Sequence, residues 1–190
     1  MWSSDLGLDR ALALKPAAFQ RPVDVRRITL GNLEDDLAAL GRCDWIVEAV
    51  LERLDVKNAV FEAIERVRQP HTIVSSNTSG IPLATMAAAR SAGFRAHFLI
   101  THFFNPVRYM KLVEIVAGAD TLPAVSHAMA AFCQDQLGKG VVRAKDTINF
   151  IANRIGVHDM MRAVGIAFSQ DRKSTRLNSS HGYISYAVFC

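Results

Sequence analysis

No Gly-x-Gly-x-x-Gly turn, no Cys-x-x-Cys pair and no block of basic residues occurs in this chain of 190 residues. No apolar run approaches the roughly 18 residues that span a bilayer as a helix, so a membrane-crossing helix is not expected. The first residues, MWSSDLGLDRALALKP, lack the basic start and long apolar stretch of a secretory signal. Asp5 and Asp9 speak against a transit peptide, and a cytoplasmic location is expected. The three cysteines, Cys43, Cys133 and Cys190, stand at no metal-ligand spacing, and an odd count suits a disulfide framework poorly, so free thiols and no metal site are expected. Of the formal charge of +4, half is contributed by the last 20 residues, where Arg172, Lys173 and Arg176 face only Asp171. The remainder is nearly balanced, which removes the electrostatic case for a nucleic-acid partner.

What is present is an alternation of short β-rich runs with helix-period segments, the pattern of βα units around a largely parallel sheet. DWIVEAV (44–50) reads as a buried strand. The following DVKNAVFEAIERV (55–67) reads as a helix with Val56, Ala59, Val60, Ala63, Ile64 and Val67 on one stripe. TIVSSN is the next strand, Ser79-Gly80 a bend, and IPLATMAAAR a helix with Pro82 in its first turn. AHFLITHFF (96–104) and LVEIVAG (112–118) are strands. A helix from 123 to 137 is expected to bury Val125, Met129, Phe132, Cys133 and Leu137 and to stop at Gly138 and Gly140. VVRAKD is a further strand, and FIANRIGVHDMMRAV (150–164) a long helix with Asn149 as its N-cap. Before residue 44 the pattern is weaker, with a helix at 5–14, an extended segment near VDVRRITLG and a short acidic helix NLEDDLAAL.

Three domain segments are expected: 1–145 as a partial dinucleotide-binding domain, 146–170 as the start of a helical domain, and 171–190 as a non-native tail. The tail, DRKSTRLNSSHGYISYAVFC, changes composition abruptly and resembles the translation of a sequencing-library adapter.

The richest stretch is HFFNP, His102 to Pro106, with one carboxylate, Glu114, twelve residues beyond the histidine inside LVEIV. A carboxylate in a buried strand is costly unless hydrogen-bonded or neutralised, and a histidine closing the preceding strand can do both. A carboxylate on one ring nitrogen fixes the tautomer and stabilises the imidazolium, leaving the other nitrogen as an oriented general base. The alternative is a core histidine with one satisfied bond.

With HFFNP, SNTSG (76–80), VEAVLERLDVK (47–57) and KDTINFIANR (145–154) in this order, the chain resembles the 3-hydroxyacyl-CoA dehydrogenase family, bacterial fatty-oxidation type, over about residues 10–168. The resemblance implies an α/β fold: an incomplete doubly wound, Rossmann-like sheet lacking its first βαβ unit, followed by the start of a helical domain. The implied activity is NAD-dependent oxidation of an L-3-hydroxyacyl-CoA to the 3-ketoacyl-CoA in fatty acid β-oxidation. By position, His102 matches the catalytic base, Glu114 its orienting carboxylate, Ser79 a hydroxyl near the substrate oxygen and Asn153 an amide closing the site. Asn105 matches an acyl-CoA contact, and Ala49, Glu52, Lys57 and Asn77 match residues lining the nicotinamide half of NAD.

Each position also has a plainer reading: Ser79 as a helix cap, Asn105 before Pro106 as a turn former, Glu52 with Lys57 as a solvated ion pair, Asn153 as an exposed helix residue. The resemblance further implies an acyl-CoA partner and a parent protein that is a homodimer or is fused to an enoyl-CoA hydratase. Alternatives are an inactive gene fragment or a non-catalytic relative without NAD binding, and the fragment itself is expected to be inactive. Two departures from the family pattern stand out. Ile148 replaces a usual proline and is expected to loosen the approach to the second domain, and Ile100 replaces a usual glycine and is expected to crowd the nicotinamide side. Loss of a first central strand is expected to leave DWIVEAV with an unpaired edge.

Overall fold

A computed structural model describes residues 4–169 and 187–189. The expected tail therefore lies mostly outside the described residues, as does Cys190. Five strands, β1 (Trp45–Ala49), β2 (Ile73–Ser76), β3 (Phe98–Phe103), β4 (Leu112–Ala117) and β5 (Gly140–Ala144), lie in the order β5-β4-β3-β2-β1. A sixth, β6 (Ala187–Phe189), continues the sheet beyond β1. Strand pairs β1·β2, β2·β3 and β4·β5 are parallel, while β3·β4 is antiparallel. The connection 104–111 dictates that reversal, because a parallel pair needs a crossover of about a dozen residues or more.

The expected bare edge on β1 is corrected: β6 pairs with it antiparallel, Val47 opposite Phe189 and Ala49 opposite Ala187. That ladder occupies main-chain groups an open edge would leave unpaired. The expectation of free thiols holds for buried Cys133, whose thiol burial pushes up to about 11, but not for Cys43, which is disulfide-bonded.

Helices cover both faces of the sheet. Against one face pack α2 (Leu54–Val67), α3 (Leu83–Ala87) and α4 (Ala92–Ala96). Ile46, Val74, Phe98, Ile100 and Val116 from the strands meet Val60, Phe61, Ile64, Leu83, Met86 and Phe94 there. Phe61, Phe94 and Phe98 form an aromatic cluster with centroids 5.1–5.8 Å apart; full burial of each ring is worth about 1.5–3 kcal/mol. On the other face α5 (Pro123–Asp135) sets Val125, Met129 and Cys133 on Leu99, Val113 and Ile115. The polar strand residues Ser75 and Thr101 are buried but satisfied, their hydroxyls 2.8 Å apart and the Trp45 indole N–H donating to Ser75 Oγ at 2.9 Å.

Other expectations need correction. The fully buried stripe of α2 is Lys57, Val60, Phe61 and Ile64, with Val56, Ala63 and Val67 half-buried and only Ala59 of the expected residues exposed. Phe132 and Leu137 on and after α5 are exposed, although Phe132 meets Trp45 edge-on at 5.6 Å. Gly138 adopts φ +62 after α5, as a helix stop requires. Residues 22–27, expected extended, form a 3-10 turn that begins at Pro22. The Arg21 guanidinium bonds Asp24 at 2.7 Å across its first residues. The expected helix at 32–40 begins instead with a turn in which Asn32 Oδ1 accepts the amides of Glu34 and Asp35, and a 3-10 turn follows only at Leu37–Arg42. At the N-terminus α1 (Ser4–Ala13) forms as expected, and α6 (Ala152–Ser169) is the long final helix. Among the described residues no helix is long and apolar enough to cross a membrane.

Candidate active site

The carboxyl ends of the parallel strands β1, β2 and β3 point to one side of the sheet, where loops rather than helices meet the edge; in doubly wound sheets ligands bind there. His102, one residue from the end of β3, lies directly opposite Glu114 of β4 in the antiparallel register. Both side chains are almost wholly buried. His102 Nδ1 lies 2.8 Å from Glu114 Oε2, and its Nε2 lies 3.1 Å from Ser79 Oγ. A carboxylate can only accept, so Nδ1 carries the proton and donates to Glu114, leaving Nε2 as the acceptor facing Ser79. This is a relay from hydroxyl through imidazole to carboxylate.

The second oxygen of Glu114 is also used. Oε1 accepts the main-chain amides of Ile151 and Ala152, both at 2.9 Å, at the start of α6. The expected N-cap of this helix, Asn149, does not serve: it has φ 65, and a carboxylate reached through space caps the helix instead. Aromatic rings flank the imidazole, Phe104 at 4.4 Å and Phe150 at 5.4 Å between centroids.

Ser79 is held by its neighbours. Glu52, after β1, accepts the Thr78 hydroxyl and the amides of Ser79 and Gly80 at 3.1 and 3.0 Å. Burial pushes the Glu52 carboxyl up, but the Thr78 hydroxyl, Lys57 and the Gly80 amide outweigh it, and the group sits below the ordinary carboxylate range. Ser79 is not the cap of α3: Asp146 takes that role, accepting the amides of Leu83 at 2.7 Å and Ala84 at 3.0 Å.

Lys57 is not a solvated partner of Glu52. It is 1% exposed, and its ammonium bonds both oxygens of the fully buried Glu48 at 2.8 and 3.0 Å, reaching Glu52 at 3.2 Å as well. Glu48 in turn accepts the Ser76 hydroxyl at 2.5 Å and the Val50 amide at 2.6 Å. Sequence reading passed over Glu48, Thr78, Asp146 and Phe150. The available signal for the first was a second acid in a strand, nine residues before a lysine on the helix that follows.

Asn77 ends β2 half-buried, its Oδ1 accepting the Phe103 amide at 2.8 Å, and Ala49 ends β1. Together with half-exposed Glu52 these place a small residue, an amide and a carboxylate at adjacent strand ends, and Lys57 reaches that space through Glu52. Asn105 is exposed beyond β3, and Asn153 stands in the first turn of α6, next to the Ala152 amide held by Glu114. Ile100 is enclosed in the core, whereas Ile148 is 65% exposed. No group of three or more His, Cys, Asp or Glu able to hold a metal ion exists among the described residues.

Sheet order, helices on both faces and a site at the strand ends define a Rossmann-like α/β domain. Comparison with known proteins narrows this. The profile for the 3-hydroxyacyl-CoA dehydrogenase NAD-binding domain matches residues 13–147. A probable 3-hydroxyacyl-CoA dehydrogenase of Bacillus subtilis is 50% identical over 157 residues, covering 83% of this chain and 20% of that protein. Another, from Deinococcus radiodurans, is 45% identical over 158 residues, covering 83% of this chain and 46% of that protein. The crystal structure of M. tuberculosis FadB2 superposes with a TM-score of 0.74 at 31% identity, covering 88% of this chain and 57% of that one. The chain belongs to the 3-hydroxyacyl-CoA dehydrogenase family, and the part matched is its NAD-binding domain. It spans between a fifth and a half of the length of these two curated relatives.

Proposed function

We propose that this chain is the NAD-binding part of an enzyme that oxidises L-3-hydroxyacyl-CoA to 3-ketoacyl-CoA in fatty acid β-oxidation. The observation that carries the reading is the continuous line Ser79 Oγ, His102 Nε2, His102 Nδ1, Glu114 Oε2. His102 Nε2 takes the proton of the substrate 3-hydroxyl while the Nδ1 proton stays on the ring, donated to Glu114, whose negative charge balances the positive charge the ring gains. The Ser79 hydroxyl holds the substrate oxygen beside Nε2. NAD, when bound, supplies the acceptor for the hydride that leaves the same carbon. Ala49, Glu52 and Asn77 hold its nicotinamide end, with Lys57 fixing Glu52 from behind, while Asn153 closes the catalytic site from the α6 side and Asn105 contacts the acyl-CoA. Burial around His102 excludes water from the proton transfer.

A purely structural relative has no use for this assembled line. Residues 146–170 open a helical domain in this reading, supported by the exposed apolar side chains Ile155, Val157, Met160 and Met161 on α6. Fusion to an enoyl-CoA hydratase is one arrangement of the parent, supported by the 37% identity over 142 residues to a putative fatty acid oxidation complex trifunctional enzyme of Rickettsia felis; a homodimeric parent is the other. A cytoplasmic setting is part of the same proposal. The 190-residue chain alone is expected to be inactive and to bind NAD weakly, because a Gly-rich turn at a helix N-terminus ordinarily receives the pyrophosphate and the sequence holds none.

Two measurements test the reading. His102→Gln in a full-length protein carrying this segment is expected to lower turnover by about two to four orders of magnitude with NAD affinity nearly unchanged. Surviving activity refutes the base assignment, and micromolar NAD affinity of the isolated chain by calorimetry refutes the account of weak binding.

A further inference from the structure

We propose that Phe150 is a positioning residue for the His102 base: it sets the amides of residues 151 and 152 on Glu114 and presses its own ring against the imidazole. The inference rests on the reading of His102 as general base and adds to it the element that fixes the base in one state. Asn149 and Phe150 both have positive φ, 65 and 47. Asparagine tolerates the left-handed region, but a bulky aromatic residue rarely enters it, and such a conformation persists only where the surroundings over-determine it.

The surroundings here are specific. Phe150 is 1% exposed, its amide donates to Thr147 O at 3.0 Å, and its ring centroid is 5.4 Å from that of His102. The two residues that follow place their amides on Glu114 Oε1, and four residues earlier Asp146 is tied to the start of α3. The segment 146–152 is thus pinned at both ends, with Phe150 between.

The consequence lies in the imidazole. With Oε1 occupied by two amides, the Glu114 carboxylate cannot turn, and only Oε2 remains for His102 Nδ1. With Phe104 on another side at 4.4 Å, the ring cannot turn either. One tautomer remains, with Nε2 free of hydrogen toward Ser79. Release of the left-handed turn frees all of this together, so the start of α6 and the base act as one unit.

The test reads the tautomer without substrate. In the 190-residue chain with 15N-labelled histidine, the His102 ring shifts, assigned through His102→Gln, are expected to show Nδ1 protonated with slow solvent exchange. Phe150→Leu is expected to accelerate that exchange by about three- to tenfold, the share of a ring contact, and to mix the tautomers, with Phe150→Tyr restoring both. Asn149→Val, which disfavours positive φ without touching the ring, is expected to reproduce the effect and decides the matter should Phe150→Leu unfold. Unchanged tautomer and exchange in either folded variant, with the β3 and β4 amides still protected, overturns the proposal. A full-length protein without turnover but with this tautomer locked would sink the dehydrogenase reading and leave the positioning role standing.

Discussion

Replacing Glu114 by glutamine changes one atom's hydrogen-bonding role and leaves shape almost untouched, so its effect follows from counting donors. Three donors converge on the carboxylate: the His102 Nδ1 proton at 2.8 Å and the amides of Ile151 and Ala152 at 2.9 Å. Glutamine offers one accepting oxygen and one donating NH2. With its oxygen toward the amides, the NH2 faces Nδ1 and forces the proton onto Nε2, where it can no longer accept from the substrate hydroxyl. With its oxygen toward His102, the NH2 meets two N–H groups in a site that is 1% exposed, and buried donors go unpaired. That second state costs about 1–3 kcal/mol, so the first is favoured and the ring flips its tautomer. Turnover in a full-length protein is expected to fall by about two to four orders of magnitude, as for loss of a general base. Urea unfolding of the chain is expected to show a loss smaller than the about 1–3 kcal/mol of that second state, because the change of tautomer avoids it. A Glu114→Gln protein with the parent's stability and with the Nδ1 tautomer intact by 15N NMR would refute the donor count on which the site is built.

The Glu48–Lys57 pair makes a second prediction. Lys57→Met leaves Glu48 buried without its cation and is expected to cost about 3–5 kcal/mol in urea unfolding, whereas Glu48→Gln with Lys57→Met is expected to recover most of it; equal losses in single and double variants argue against a coupled pair. The Glu52 carboxyl supplies a pH dependence. Its folded-state affinity for protons is reduced relative to the ordinary value of 4.5, so its stabilisation is full above that pH and is lost as pH falls through the lower folded value. Glu52→Gln is expected to flatten the decline of stability below pH 4.5, and an unchanged slope counts against its role in holding the 78–80 turn.

What could be read in the sequence is what local pattern controls. A histidine closing one strand and a single acid inside the next were legible as a pair, and the two residues stand opposite each other in the β3·β4 register. The strands and α2 were legible because Val, Ile and Phe recur at the periods those structures require. The misses share a cause. Lys57 faces inward on α2 because Glu48, on another element, neutralises it, and no periodicity of hydrophobic residues can place a buried lysine. Asn149 looks like a helix cap in sequence, yet Glu114 caps α6 from 37 residues away. Before β1, 3-10 turns stand where an extended segment and a helix were expected, the first bridged by the Arg21–Asp24 side-chain pair and the second preceded by a turn whose amides Asn32 satisfies.

The site residues depend on partners held by other elements, and this bears on how the site works. Lys57 ties Glu48 to Glu52, Glu52 holds the turn that presents Ser79, Ser79 meets His102, and Glu114 carries the line to the start of α6. From Glu52 onward, each link joins groups that lie on or follow different strands. Since charged and hydroxyl groups buried in such a line each need their partner, a displacement of one element leaves an unsatisfied group in the next. The strand ends therefore hold Ser79, His102 and Glu114 in register by mutual dependence rather than by the packing of any single loop. The acid at 52, through Ser79, and the start of α6, through Glu114, thus reach the two nitrogens of the same imidazole.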